Sequence, residues 1–245
     1  MPTKFNAASR LLELLQQTAP YQDGTGCFAA WCVLFKIEGP DTNKNDISIT
    51  NKLSLVYREV QTIKVHLVQS QFSDGVFTPT LSKIESAISP QILHAQWASA
   101  KQYLTQDVYT SLGYCVEILP SEEISISAED FAAIVSLINE LELLLQDAAL
   151  PDHLVGLIRH HIELIELAIS NYPITGAQGL RVASKQALGD VVESAEEITA
   201  NQGLPAVKAF GELWRKVNTV ADTAIKADKL AHLGAKAMKL LEQFI

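Results

Sequence analysis

The sequence predicts an all-α fold, a multi-helix bundle of about eight to ten mostly antiparallel helices. Apolar residues recur at steps of three and four along most of the chain, which is the spacing of one helix face. The nine prolines separate these periodic segments. Hydrophobic residues make up 48% of the 245 residues and charged residues 19%, so the chain has enough apolar surface for a large core.

Two short helices are expected before residue 40. The first covers residues 7–18, where leucines mark one face, and the second covers residues 23–37 with Asp23 as its N-cap. Gly39 and Pro40 end the second helix.

The segment after Pro40 fits both a strand pattern and a helix pattern. Apolar residues between positions 47 and 57 nearly alternate, as in a strand. The helical template explains more residues over a longer span, and it predicts a seam formed by Ile49, Leu53, Val56, Val60, Ile63 and Leu67. Such a seam suits burial within the monomer or packing against a second copy of the chain.

Ser89 and Pro90 mark a helix start, because serine is a good N-cap and proline fits the first helical position. A brief helix around residues 81–88 precedes them. The apolar periodicity that follows continues to Leu119, with a break expected near Gln106.

The second half contains two capping boxes, Ser127–Asp130 and Thr175–Gln178. The helix after the first box turns at Leu150-Pro151 into another amphipathic helix, so an antiparallel helix hairpin is expected. Pro205 begins a last helix whose apolar stripe continues to Phe244, about 60 Å if it is unbroken.

Pro120, followed closely by Glu122 and Glu123, is the expected boundary between two helical halves. The halves comprise residues 1–119 and 120–245. They are expected to pack as one compact unit.

Residues 126–180 carry a recurring order of local features. A capped helix from Ser127 is followed by the Leu150-Pro151 corner, a helix ending near Tyr172, and the Gly-x-x-Gly-Leu sequence of residues 176–180. This order resembles a pattern seen in uncharacterised all-helical bacterial accessory proteins. The resemblance implies a bacterial cytoplasmic accessory protein, associated with phage-defence or mobile-element loci.

Charge restricts the partners. The chain carries 19 basic and 28 acidic residues, a net charge of −9 that would repel a phosphate backbone, so no nucleic-acid partner is expected. Residues 118–170 are strongly acidic, whereas residues 206–245 are basic. These opposite charges suit contact with each other or with a partner.

Three cysteines without metal-ligand spacing, Cys27, Cys32 and Cys115, are typical of buried thiols in a reducing compartment. No apolar stretch reaches the roughly 18 residues of a membrane span. The sequence therefore predicts a cytoplasmic location.

Common catalytic and cofactor motifs are missing from the sequence, among them the P-loop and His-Glu-x-x-His. We therefore predict no catalytic residue, no cofactor and a role other than catalysis. The densest set of potential metal ligands is His153, His160 and Glu163, which leaves a metal-dependent hydrolase as an alternative. Neighbouring His161 falls on the apolar stripe, as is typical of a hydrogen-bonded core histidine.

The C-terminal helix, residues 206–245, is the predicted interaction surface. Its lysines share one side, opposite a stripe rich in Ala and Leu, and Trp214 is a suitable contact anchor. The lysines concerned are Lys226, Lys229, Lys236 and Lys239. Packing within the chain, a protein partner or an anionic membrane surface would each suit this pattern.

These features favour a non-enzymatic helical interaction protein that binds itself or another protein. A membrane-acting effector that uses residues 206–245 is the second hypothesis, and the metal-dependent hydrolase is the third.

Overall fold

A computed structural model describes residues 4–39, 42–147 and 150–225. Within these ranges the chain forms eleven α-helices and no strand beyond isolated bridges, so the predicted all-α fold is confirmed. The sequence predicted about eight to ten helices. Two of the eleven helices are only four and six residues long, too short for an apolar period to reveal them.

The described chain divides into two compact units between Glu122 and Glu123, and residues Pro173–Thr175 group with the first unit. Each unit has its own hydrophobic core. The sequence placed the boundary three residues earlier, between residues 119 and 120. That the two halves pack as one compact unit stays a prediction.

The first unit contains six α-helices among its described residues, together with one 3-10 turn at Pro90–Ile92. The helices are α1 (Ala7–Gln16), α2 (Cys27–Phe35), α3 (Thr42–Gln69), α4 (Asp74–Ala87), α5 (Ala98–Lys101) and α6 (Gln106–Ile118). All six seam residues of α3 are buried in the core of this unit, with at most 3% of their surface exposed. The helical interpretation of this segment and its burial within the monomer are confirmed.

Two expected helix starts in this unit are corrected. Helix α2 begins at Cys27 with Gly26 at its N-cap, not at Asp23. The Cys27 N–H donates to the Ala95 carbonyl at 2.8 Å, and this tertiary bond fixes the entry to the helix. Ser89 does cap the residues after it, since its hydroxyl accepts from the Gln91 N–H, but only the 3-10 turn follows.

The second unit contains five helices among its described residues. They are α7 (Ala128–Asp147), α8 (Asp152–Thr175, its last turn grouping with the first unit), α9 (Gln178–Glu193), α10 (Ala195–Ala200) and α11 (Pro205–Ala224). Helix α11 is the centre of the unit and packs against α7 and α9.

The predicted cap of α7 is confirmed, and the start of α7 meets the end of α8, as expected for antiparallel helices. The Ser127 hydroxyl accepts from the Asp130 N–H at 3.1 Å. Phe131, at the start of α7, contacts Tyr172 near the end of α8, with ring centroids 4.8 Å apart.

The prediction of a second capping box at Thr175–Gln178 is wrong. Thr175 is the last residue of α8, and Gly176 follows with a φ of +60°. The Ala177 N–H donates instead to the buried carboxylate of Glu123 at 2.6 Å. A side chain distant in sequence therefore occupies the place that the local motif was expected to fill.

The last helix is also shorter than its apolar stripe. Helix α11 ends at Ala224, and Ile225 is extended because this end pairs with residues 123–124. The Ile124 N–H donates to the Ala224 carbonyl at 2.7 Å. Residues 226–245 lie outside the described residues.

Candidate functional site

Trp214, the predicted anchor of an interaction surface, lies in the core of the second unit with 1% of its surface exposed. This corrects its expected role as an anchor and confirms packing within the chain for residues 206–224, because the apolar face of α11 is covered by other helices of its own unit. Because this apolar face is already buried in the unit, residues 206–224 do not offer it to a membrane as the second hypothesis requires. Lys226, Lys229, Lys236 and Lys239 lie outside the described residues.

The indole of Trp214 belongs to a buried hydrogen-bonded group. Its Nε1–H donates to Nδ1 of His161 at 3.1 Å, and Nε2 of His161 lies 3.2 Å from the Asp190 carboxylate. Since Nδ1 accepts, the neutral ring carries its proton on Nε2 and donates it to Asp190. Burial lowers the pKa of His161, and Asp190 opposes that shift. The predicted core histidine is confirmed.

The proposed metal ligands do not converge. His153 and His160 are exposed on α8 and face different carboxylates, at 3.7 Å from Glu197 and 3.9 Å from Asp190 respectively. Glu163 is also exposed. In the described part of the chain, no three His, Cys, Asp or Glu side chains are placed to hold a metal ion.

An apolar cleft in the first unit is the candidate functional site. It has a volume of about 100 Å³ and lies among the end of α3, the start of α4 and the second half of α6. Its lining residues are all uncharged: Leu67, Phe72, Val76, Phe77, Thr80, Leu81, Ser111, Leu112, Tyr114, Cys115 and Ile118.

Helix periodicity explains the two layers of this cleft. Leu67, Phe77, Leu81 and Leu112 point into the core and form its floor. The rim comprises Phe72, Val76, Tyr114 and Ile118, four of the fifteen large hydrophobic residues that are exposed among those described. Val76 and Tyr114 are the most exposed of the four, at 68% and 67%. Single exposed apolar residues are ordinary, but a cluster around a cleft is typical of a binding surface.

Three hydroxyls line the cleft, those of Thr80, Ser111 and Tyr114. The Thr80 hydroxyl lies 3.3 Å from that of Ser111, within hydrogen-bond distance. Burial raises the pKa of the Cys115 thiol, which keeps it protonated at neutral pH. Elsewhere on these helices, Lys83 pairs with Asp107 at 2.8 Å and Lys64 with Glu85 at 2.6 Å.

Sequence reasoning missed this cleft, although a signal exists. Phe72 and Val76 are four residues apart, and so are Tyr114 and Ile118, which lie beside the buried stripe of α6. Such pairs widen an apolar face beyond what one core contact requires. What the sequence does not reveal is that α4 and α6 bring the two pairs together.

Among the described helices, none combines the length and the apolar character needed to cross a bilayer. No known protein family matches the chain, and no similar protein is found among curated proteins or solved structures. The chemistry of the cleft is therefore the basis for a function.

Proposed function

We propose that this chain is a non-enzymatic helical interaction protein whose first unit binds a partner protein at the cleft between α3, α4 and α6. The observation that carries the proposal is the convergence of four exposed apolar side chains on one uncharged cleft. A partner that covers this rim removes apolar surface from water, which favours association.

The dimensions of the cleft favour a protein segment over a metabolite or cofactor. Small-molecule sites commonly enclose about 300–1,000 Å³ and present several convergent polar groups. This cleft has about 100 Å³, and two of its three hydroxyls, those of Thr80 and Ser111, lie within hydrogen-bond distance of each other. One side chain of a larger partner fits it, and an amphipathic helix laid along a groove is a common way to deliver one.

The chemistry of the cleft supports a role in binding over catalysis. Its thiol, Cys115, has a raised pKa, whereas a catalytic cysteine requires a lowered one. The metal-dependent hydrolase has no support from His153, His160 and Glu163, because these side chains do not converge.

We retain two predictions from the sequence for this interaction protein. The first is a bacterial cytoplasm as its location, and the second is an accessory role at phage-defence or mobile-element loci. Both are tested by identifying the genes beside this one and the proteins that bind to it.

A matched pair of substitutions tests the proposal. Val76 on the rim and Val33 on α2 are both about two-thirds exposed, so Val76→Asp and Val33→Asp place the same charge on equally exposed sites. The tagged full chain is crosslinked in native cells, and the captured proteins are compared. We expect a partner that wild type and Val33→Asp capture and Val76→Asp loses. Capture that is identical for all three chains, or no capture by wild type, would overturn the proposal.

A further inference from the structure

We propose that residues 226–245 pack against an acidic face of the second unit, formed by Glu142, Glu163 and Glu166 on α7 and α8 and by the exposed leucines beside them. This contact lies in the second unit, so it goes beyond the proposed function, which concerns the cleft of the first unit. Four observations support it: the charge of the face, its leucines, the sequence pattern of residues 226–245 and the place where they leave the described chain.

The three carboxylates of the acidic face lie close to one another. Glu142 is on α7, Glu163 and Glu166 are three residues apart on α8, and all three are exposed. Loss of hydration raises the pKa of Glu166, and the negative charges of Glu142 and Glu163 raise it further. Among the described residues, no basic side chain forms an ion pair with any of the three. The face is therefore a concentration of negative charge that a nearby cation would stabilise.

An exposed leucine follows a carboxylate on each helix of the acidic face. Leu143 comes directly after Glu142 and is 64% exposed, and Leu167 comes directly after Glu166 and is 58% exposed. Such a combination of apolar and acidic side chains suits the apolar stripe of a basic amphipathic helix, because leucines bury apolar surface and carboxylates accept from lysines.

Residues 226–245 have the complementary charge and pattern. They contain four lysines and two acidic residues, a net charge of +2. In the helix that the sequence predicts for them, Lys229 and Lys236 are seven residues apart and share one side. That side borders the apolar stripe at Leu233 and Leu240. A helix with this pattern brings lysines and leucines to the same surface.

The end of the described chain leads residues 226–245 toward the acidic face. The Ile124 N–H donates to the Ala224 carbonyl at 2.7 Å, so the chain leaves α11 beside the segment that enters α7 at Ala128. Glu142 lies about 20 Å further along α7. Residues 226–245 reach about 30 Å as a helix and about 65 Å as an extended chain, so the face is within reach.

This attachment favours the chain's own segment over a separate molecule. A short tether holds two surfaces at an effective concentration on the order of millimolar. Exposed ion pairs and two leucines give a weak contact between separate molecules, but at that concentration a weak contact is well populated.

Zero-length crosslinking of the full chain tests the contact. A carbodiimide joins a lysine amine to a carboxylate where the two touch, and mass spectrometry identifies the pair. We expect Lys229 and Lys236 to be joined, within one chain, to the carboxylates of the acidic face several times as often as to Glu212. Glu212 is a matched control because it is exposed and lies about 18 Å back along α11 from Ala224, as accessible to the tether as the acidic face.

Charge reversal tests the same contact through amide hydrogen exchange of residues 226–245. Lys229→Glu with Lys236→Glu should speed exchange about fivefold, because two attractions become repulsions. Adding Glu142→Lys and Glu166→Lys to that variant should restore the slower exchange. The control reverses two exposed lysines elsewhere in the unit, Lys185→Glu with Lys208→Glu, and should leave exchange unchanged.

Other occupants would give other results, and each would overturn the proposal. Crosslinks to the acidic face that form only between chains would assign it to a second copy. Lysines that form no crosslink to the face, while wild type binds vesicles of phosphatidylserine and phosphatidylcholine and Lys229→Glu with Lys236→Glu does not, would assign residues 226–245 to a membrane surface. Equal crosslinking to Glu142 and Glu212, or exchange that charge reversal leaves unchanged, would show that the segment has no preferred contact.

Discussion

At the scale of single residues, His161 shows what a polar side chain in a core requires. The imidazole is fully buried, and burial of an unpaired polar group is costly. Trp214 supplies a donor to one ring nitrogen and Asp190 an acceptor for the other, so the neutral ring is satisfied on both sides. The three residues come from α11, α9 and α8, and they join these helices within the second unit.

His161 should make stability depend on pH. Its pKa is lowered in the folded state, so the unfolded chain binds more protons as the pH falls. The stabilising contribution of neutral His161 is complete above the ordinary histidine pKa and is lost below it. We expect wild type to lose more stability between pH 7.5 and pH 5 than His161→Phe, as measured by urea denaturation.

His161→Phe should also be less stable than wild type at pH 7.5, by about 1–3 kcal/mol, because Trp214 and Asp190 lose a buried partner. Wild type and variant curves that fall in parallel with pH would show that His161 titrates as it does in the unfolded chain.

Gly176 is required by its backbone and by its neighbour. Its φ of +60° is disfavoured for other residues, and a Cβ at this position would overlap the Glu123 carboxylate. Gly176→Ala should therefore destabilise the protein by about 2 kcal/mol or more. Gly156, on the exposed face of α8, has open space around it, so Gly156→Ala should stabilise by up to about 1 kcal/mol. The unfolding temperatures of the two variants test this expectation. Equal changes in both variants would contradict this account of Gly176.

At the scale of helices, the buried face of a helix was predictable from the sequence, whereas the residues at which helices begin and end were less so. The seam of α3 is visible in the sequence because one face must repeat at three and four residues to remain buried. The ends of α2 and α9 depend on Ala95 and Glu123, which are distant in sequence. Local motifs cannot reveal such partners, and so Asp23 and Thr175 were assigned caps that they do not form.

The cap that was predicted correctly gives a prediction of its own. The Ser127 hydroxyl accepts from the Asp130 N–H and donates to the Asp130 carboxylate. Ser127→Ala should cost about 1 kcal/mol, the usual cost of losing an N-cap. Ser86, inside α4, bonds only to the carbonyl one turn earlier, so Ser86→Ala should be neutral or slightly stabilising. The denaturation midpoints of the two variants test this difference. A Ser127→Ala variant as stable as wild type would contradict the assigned cap.

At the scale of the whole molecule, the fold class was predictable and the candidate site was not. An amphipathic pattern shows that a face is apolar but not what covers it. Trp214 therefore suited an interaction surface as well as the core, whereas α11 is the central helix of its unit. The cleft depends on residues from three helical segments, such as Leu67, Val76 and Tyr114, whose proximity follows from tertiary packing.

The rim should contribute to binding and not to stability. Val76 is 68% exposed, so Val76→Asp should change the free energy of unfolding by less than about 0.5 kcal/mol, like Val33→Asp. Chemical denaturation checks this expectation. A large loss of stability in Val76→Asp alone would mean that the rim belongs to the core of the first unit.

The most direct measurement is photo-crosslinking from the rim of the cleft in native cells. A benzophenone amino acid replaces Tyr114 on the rim or, as a control, Tyr57 on the exposed part of α3. We predict that Tyr114 crosslinks one protein and that Tyr57 does not. No crosslink from Tyr114, or the same products from both positions, would contradict the cleft as the binding site.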